Sequence, residues 1–221
     1  MMLAADFLSC PIELKDDIVN VLCIENKELY RNIVRTLIEE KPEAMQIVFS
    51  EDYAPVKFKG NICFVDDYYR LSVSSGTVKK LYENISAFCE RELFSETAAV
   101  KAHLVGFMDS IIESYDFDFV YEPEVSLSEL FKMLELKPDI ASDDLLQSLL
   151  DYILLINKYS SVKCFVLLNL HLFFNTDELE SFFQDLQYNH ISILLLENSS
   201  VFEKTCYEKI RIIDDDLCEI Y

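Results

Sequence analysis

The densest run of chemistry-bearing side chains is Glu113-Ser-Tyr-Asp-Phe-Asp-Phe-Val-Tyr-Glu-Pro-Glu-Val125. Asp116 and Asp118 alternate with aromatic residues, so an extended chain directs both carboxylates to one side. Glu122 and Glu124 do the same around Pro123, which keeps the stretch out of a helix. Ser126 then stands three residues before Glu129, the spacing of a capping box that opens a new helix. Carboxylates this crowded repel one another unless something neutralises them. A hard cation that takes about six to eight oxygen ligands, calcium above all, is one answer. Solvated surface acids are the other, and the spacing is not that of an EF-hand loop.

Other site chemistries find less support. His103, His171 and His190 stand alone, without an HxH or HExxH pattern. No nucleophile and base stand together, and carboxylate pairs are too common in so acidic a chain to nominate an acid–base couple. Phosphate binding is disfavoured too. An apolar strand, Ile18 to Ile24, runs into a helix capped by Asn26, where a phosphate-binding loop would sit. The turn reads Glu25-Asn-Lys-Glu28, with no glycine to bring backbone N–H groups around a phosphate and two carboxylates to repel one. A second strand ends in Asn169, where a nucleotide-hydrolysing chain would present Asp. We expect no nucleotide hydrolysis and no enzymatic activity.

The elements that position these residues centre on 163–197. Lys163-Cys-Phe-Val-Leu-Leu-Asn-Leu170 and Ile191-Ser-Ile-Leu-Leu-Leu196 are apolar runs without alternation, the pattern of strands covered on both faces. Between them Asn175 caps a helix with Glu178 at its third position, and Leu179, Phe182, Phe183 and Leu186 recur at helical spacing. Two such strands joined by a helix form a parallel βαβ unit. Upstream, 45–50 and 62–65 read as shorter strands of the same sheet or as insertions into it. From Thr77 the period turns helical: Val78, Leu81, Ile85, Phe88, Cys89 and Leu93 form one stripe. Val100, Leu104, Phe107, Met108, Ile111, Ile112 and Tyr115 form a second, and both read as packed core. The chain therefore divides into an α/β part over 1–70, an inserted helical part over 71–159, and the rest of the α/β part over 160–221.

The 221 residues carry a net charge of −21, with 51% hydrophobic and 13% aromatic residues, which marks a globular chain with a sizeable core. An acidic surface argues against a simple nucleic-acid binder, whose contact face must be basic. It leaves a plain acidic exterior, acids clustered for divalent cations, or a few well-placed lysines forming a local patch. No apolar run reaches the roughly 18 to 20 residues of a membrane span. The first six residues lack a basic region and reach Asp6 before an apolar core develops, against a signal peptide. Seven scattered cysteines without a CxxC pair read as reduced core thiols in the cytoplasm.

The chain resembles the short form of the type II-A CRISPR adaptation protein. The resemblance rests on Phe165-Val-Leu-Leu-Asn-Leu170, on Asp177-Glu-Leu-Glu-Ser-Phe182, on Ile193-Leu-Leu-Leu-Glu197 and on the terminal Ile212-Ile-Asp-Asp-Asp-Leu-Cys-Glu-Ile-Tyr221. It extends to Tyr121-Glu-Pro-Glu124 followed by Leu130-Phe-Lys132, and to overall length and order of elements. It implies a P-loop-ATPase-like α/β head without a functional Walker A loop and an inserted α-helical leg. It further implies a homotetrameric ring, supported by calcium, whose lysine-lined channel encircles double-stranded DNA at its ends. Its partners would be the integrase and effector nuclease of spacer acquisition. On this resemblance Asp118, Glu122, Glu124 and Glu129 are the expected metal ligands, and Lys132, Lys137 and Lys158 the expected DNA contacts. The chain has Val120, Pro123 and Ser126 where the family's pattern leads one to expect further acids. A degenerate P-loop ATPase or an acidic protein-interaction module is the alternative.

Overall fold

A computed structural model describes residues 1–140 and 142–220. The strands, in chain order, are β1 (Met2–Ala4), β2 (Ile12–Glu13), β3 (Val19–Ile24), β4 (Val48–Glu51), β5 (Ala54–Pro55), β6 (Ile62–Val65), β7 (Cys164–Leu168), β8 (Ile193–Glu197), β9 (Glu208–Ile213) and β10 (Glu219–Ile220). The helices are α1 (Lys27–Ile38), α2 (Ser75–Glu92), α3 (Phe94–Glu113), α4 (Leu127–Met133), α5 (Leu145–Tyr159) and α6 (Thr176–Tyr188). They form a mixed α/β chain with two compact units. One comprises Met1–Ser72 and Ile140–Tyr221, the other Val73–Asp139.

In the first unit a six-stranded sheet runs β10, β9, β3, β8, β7, β6, parallel throughout except for β10 against β9. The βαβ unit is present as the apolar runs require. Phe165 pairs with Ile193 in register, and α6 begins with the reciprocal capping box of Asn175 and Glu178. Every residue of β3 and β8 is buried. Leu22, Ile24, Val166, Leu194 and Leu196 share one core with Ile33 and Leu37 of α1. Val21, Cys23, Phe165, Leu167 and Leu195, of opposite phase, are equally buried, so both faces of the sheet are covered.

Two features depart from the sequence reading. The 45–50 stretch does not join the main sheet. Pro42–Met45 forms a 3-10 turn, and β4 enters a separate antiparallel sheet of order β2, β1, β4, β5, with Leu3 opposite Phe49. Leu3, Ile12 and Phe49 carry that small sheet onto the α1 side of the core. Helix α5, read as part of the insertion, falls in the first unit. Leu149 and Ile153 are fully buried, and Tyr152 meets Cys63 of β6 at 3.6 Å and the Ser72 carbonyl at 3.4 Å. The cysteines also divide. Cys23 and Cys164 are core residues, whereas Cys10, Cys206 and Cys218 are exposed.

In the second unit α2 packs on α4. The Tyr82 ring meets Phe131 edge-on at 5.8 Å, its hydroxyl donates to the Leu136 carbonyl, and Ser86 and Ser128 hydroxyls bond at 3.1 Å. The first apolar stripe is half-buried, with Tyr82 and Thr77 the buried residues of α2. The second is not core. None of the 20 residues of α3 is buried, and Phe94 and Phe107 are 71% and 64% exposed.

Candidate metal and nucleic-acid sites

The acidic segment is an extended link between α3 and α4, without regular structure between Tyr115 and Ser126. Ser126 caps α4 by accepting the Glu129 N–H at 3.4 Å. The link is tied to α3 by Tyr121, whose hydroxyl donates to Asp109 Oδ1 at 2.6 Å. That bond to a carboxylate raises the Tyr121 phenol above its ordinary pKa. Tyr115 and Phe119 meet edge-on at 5.8 Å. Asp118, Glu122, Glu124 and Glu129 are all exposed. Among the described residues no three His, Cys, Asp or Glu side chains converge to hold a metal ion. The donor chemistry suits a hard cation, but within one chain these carboxylates do not form a cage.

The predicted DNA contacts are also exposed. Lys132, in the last turn of α4, lies 3.8 Å from Glu129, so one predicted metal ligand and one predicted phosphate contact neutralise each other here. Lys137 lies two residues beyond Glu135, which closes α4 in the left-handed region at φ 51°. Lys158, in the last turn of α5, sits 5.3 Å from the Tyr159 ring centroid and belongs to the other unit.

The crevice at the carboxyl ends of the parallel strands, where such sheets bind ligands, is filled by the protein's own groups. Glu25 accepts the Ser200 hydroxyl at 2.5 Å, and its N–H donates to the Ile213 carbonyl at 2.8 Å. Asn26 caps α1 through the Leu29 N–H at 3.0 Å and donates to the Asp215 carbonyl at 2.8 Å. Asn169, left-handed at φ 53°, accepts from the Tyr30 hydroxyl at 2.8 Å and the Asn198 N–H at 3.1 Å. Burial pushes the Tyr30 phenol up to about 12, against the opposing effect of its bond to Asn169. A carboxylate thus stands at the turn after β3, and the amide at the end of β7 is engaged internally.

The sequence reading passed over one cluster. The side chain of His171, a lone histidine in the sequence, is buried between Glu197 at the end of β8 and Glu208 at the start of β9, 2.9 Å and 2.8 Å from its two ring nitrogens. Its one legible signal is Glu197, a carboxylate ending an otherwise apolar strand. His103 is exposed on α3, and His190 pairs with Asp16 at 2.8 Å on the surface.

The model of the CRISPR-associated protein family Cas_Csn2 matches residues 39–217, a span running through both units. The chain belongs to this family. Cas_Csn2 membership makes it a non-catalytic protein of CRISPR adaptation that binds double-stranded DNA ends. No curated protein matches it. Among solved structures, an ATP-binding protein assigned to the ABC transporters of Pyrococcus furiosus is similar over 95% of this chain and 97% of that one. The identity is 15% and the TM-score 0.43. Among the described residues of this Cas_Csn2 chain, no helix is long and apolar enough to cross a membrane.

Proposed function

We propose that the chain is one subunit of a cytoplasmic homotetrameric ring that closes around double-stranded DNA ends during type II-A spacer acquisition, beside the integrase and effector nuclease. The family match over 39–217 carries this reading. In it the α/β unit is a P-loop-ATPase-like head that has lost nucleotide chemistry, and the helical unit is the leg. Two physical features support it. A net charge of −21 opposes DNA binding on an open surface, whereas a closed channel presents the duplex with only its inner wall. And α3, without one buried residue, leaves Phe94 and Phe107 to be covered by assembly.

In this reading Lys132, Lys137 and Lys158 face phosphate, a contact that positions the duplex without reading its sequence. Asp118, Glu122, Glu124 and Glu129 hold calcium, with further oxygens coming from rearrangement of the link or from a neighbouring subunit. Bound calcium would neutralise the mutual repulsion of the link. Native mass spectrometry with calcium and then with chelator tests the assembly, with a calcium-favoured tetramer as the expected species. Gel shifts on linear and covalently closed DNA test the ring. Monomers under all conditions, or equal loading of both DNAs, would overturn it.

A further inference from the structure

His171 stands 4% exposed at the side chain, with Glu197 Oε1 2.9 Å from Nδ1 and Glu208 Oε1 2.8 Å from Nε2, both carboxylates as buried as the ring. The Glu208 contact is a close ion pair off the hydrogen-bond axis, so both atoms lack an aligned partner. Phe202 stacks on the ring at 3.8 Å. The geometry alone carries a requirement. An ionised carboxylate only accepts, and a neutral imidazole has one N–H and one lone pair. A neutral ring would aim its lone pair at a carboxylate, in a site without room for water to intervene. With both carboxylates ionised, the ring carries both protons.

The cluster has a defined mechanical position. Glu197 and Glu208 bracket the 198–207 crossover, which joins β8 to β9 without a helix. That crossover fills the crevice: Asn198 N–H bonds Asn169, Ser200 bonds Glu25, and Glu203 accepts from Thr176 at 3.4 Å. We propose that Glu197, His171 and Glu208 form a proton-held latch. While the imidazole keeps its second proton, the crossover is pinned over the carboxyl ends of β3 and β7, and release of that proton to solvent frees it. The groups that face the latch are consistent with this. Besides the two carboxylates, Cys23 of β3, Tyr30 of α1 and Tyr68 after β6 feel the Glu197 charge, and each is held protonated chiefly by burial. Burial by itself would lower the His171 pKa, but the two carboxylates outweigh it and raise it to about 9. The latch is therefore closed at neutral pH.

Hydrogen exchange on the intact chain reads it directly. After correction for intrinsic base catalysis, opening of the 198–207 amides should rise on the order of a hundredfold as pH goes from about 6.5 to about 9 and level off above that, while β8 stays protected. The His171→Gln variant should exchange rapidly there at every pH, with no step. Protection of 198–207 that is flat with pH, or a rise shared equally with β8, would overturn the latch. If the variant does not fold, ¹⁵N spectra of the wild-type imidazole decide. Both nitrogens protonated at neutral pH supports the latch, and a neutral ring, facing a protonated carboxyl group instead, overturns it.

Discussion

The Tyr30 hydroxyl on α1 donates to Asn169 Oδ1 at 2.8 Å, joining the helix after β3 to the end of β7. The same oxygen takes the Asn198 N–H, so Asn169 has no acceptor left facing outward at full strength. With Glu25 bonded to Ser200 beside it, a triphosphate would have to displace an internal network and sit against a carboxylate. Equilibrium dialysis should show no retained ATP, with Lys27→Ala indistinguishable from wild type. Tyr30→Phe should lower unfolding free energy by about 1 kcal/mol in denaturant titrations.

The pH profile of global stability has a signed expectation. His171 has a folded pKa raised from its ordinary 6.5 to about 9. Its contribution is fully present below about 6.5 and lost as pH rises through about 9, on the order of 3 kcal/mol in all. Urea melts across this window should show the decline, and His171→Gln should flatten it at a lower level.

Calcium should act on the link between α3 and α4. Glu122→Gln with Glu124→Gln should remove most of the calcium-dependent rise in thermal midpoint while leaving the calcium-free midpoint nearly unchanged, because both carboxylates are exposed. A full calcium response in the double variant would place the cation elsewhere.

DNA binding should fall steeply with salt, since the contacts are to phosphate. Lys132→Glu with Lys137→Glu should abolish binding and leave the oligomer intact by native mass spectrometry. Milder Lys→Gln changes at both positions should reduce the salt slope by about 2. DNA with both ends blocked by bulky groups should fail to load.

The βαβ unit was legible because its signals are local: two unalternating apolar runs and a capping box at fixed spacing. The small antiparallel sheet was not. Met2–Ala4 is three residues long and pairs with a strand more than forty residues away, which no periodicity records. Helix α5 shows why a stripe does not name its partner. The sequence places it in the helical stretch 71–159, but only the tertiary packing of Leu149, Ile153 and Ile156 assigns it to the sheet-bearing unit. Helix α3 has the same kind of stripe and buries none of it within the chain. The acidic link stands out in the sequence by residue type and spacing, and the lysines by their acidic neighbourhood. The anchor of that link, Tyr121 on Asp109, and the His171 cluster depend on contacts between distant positions.

The strand order also sets a schedule for folding. β3, buried along its whole length, lies between β8 and β9, which leave the ribosome only after some 170 further residues. The helical unit interposed between them is one continuous segment, so contacts such as Tyr82 on Phe131 need only residues made well before β8. During synthesis it can therefore be formed while β3 still waits for both neighbours, an exposed sticky segment of the kind that chaperones shield.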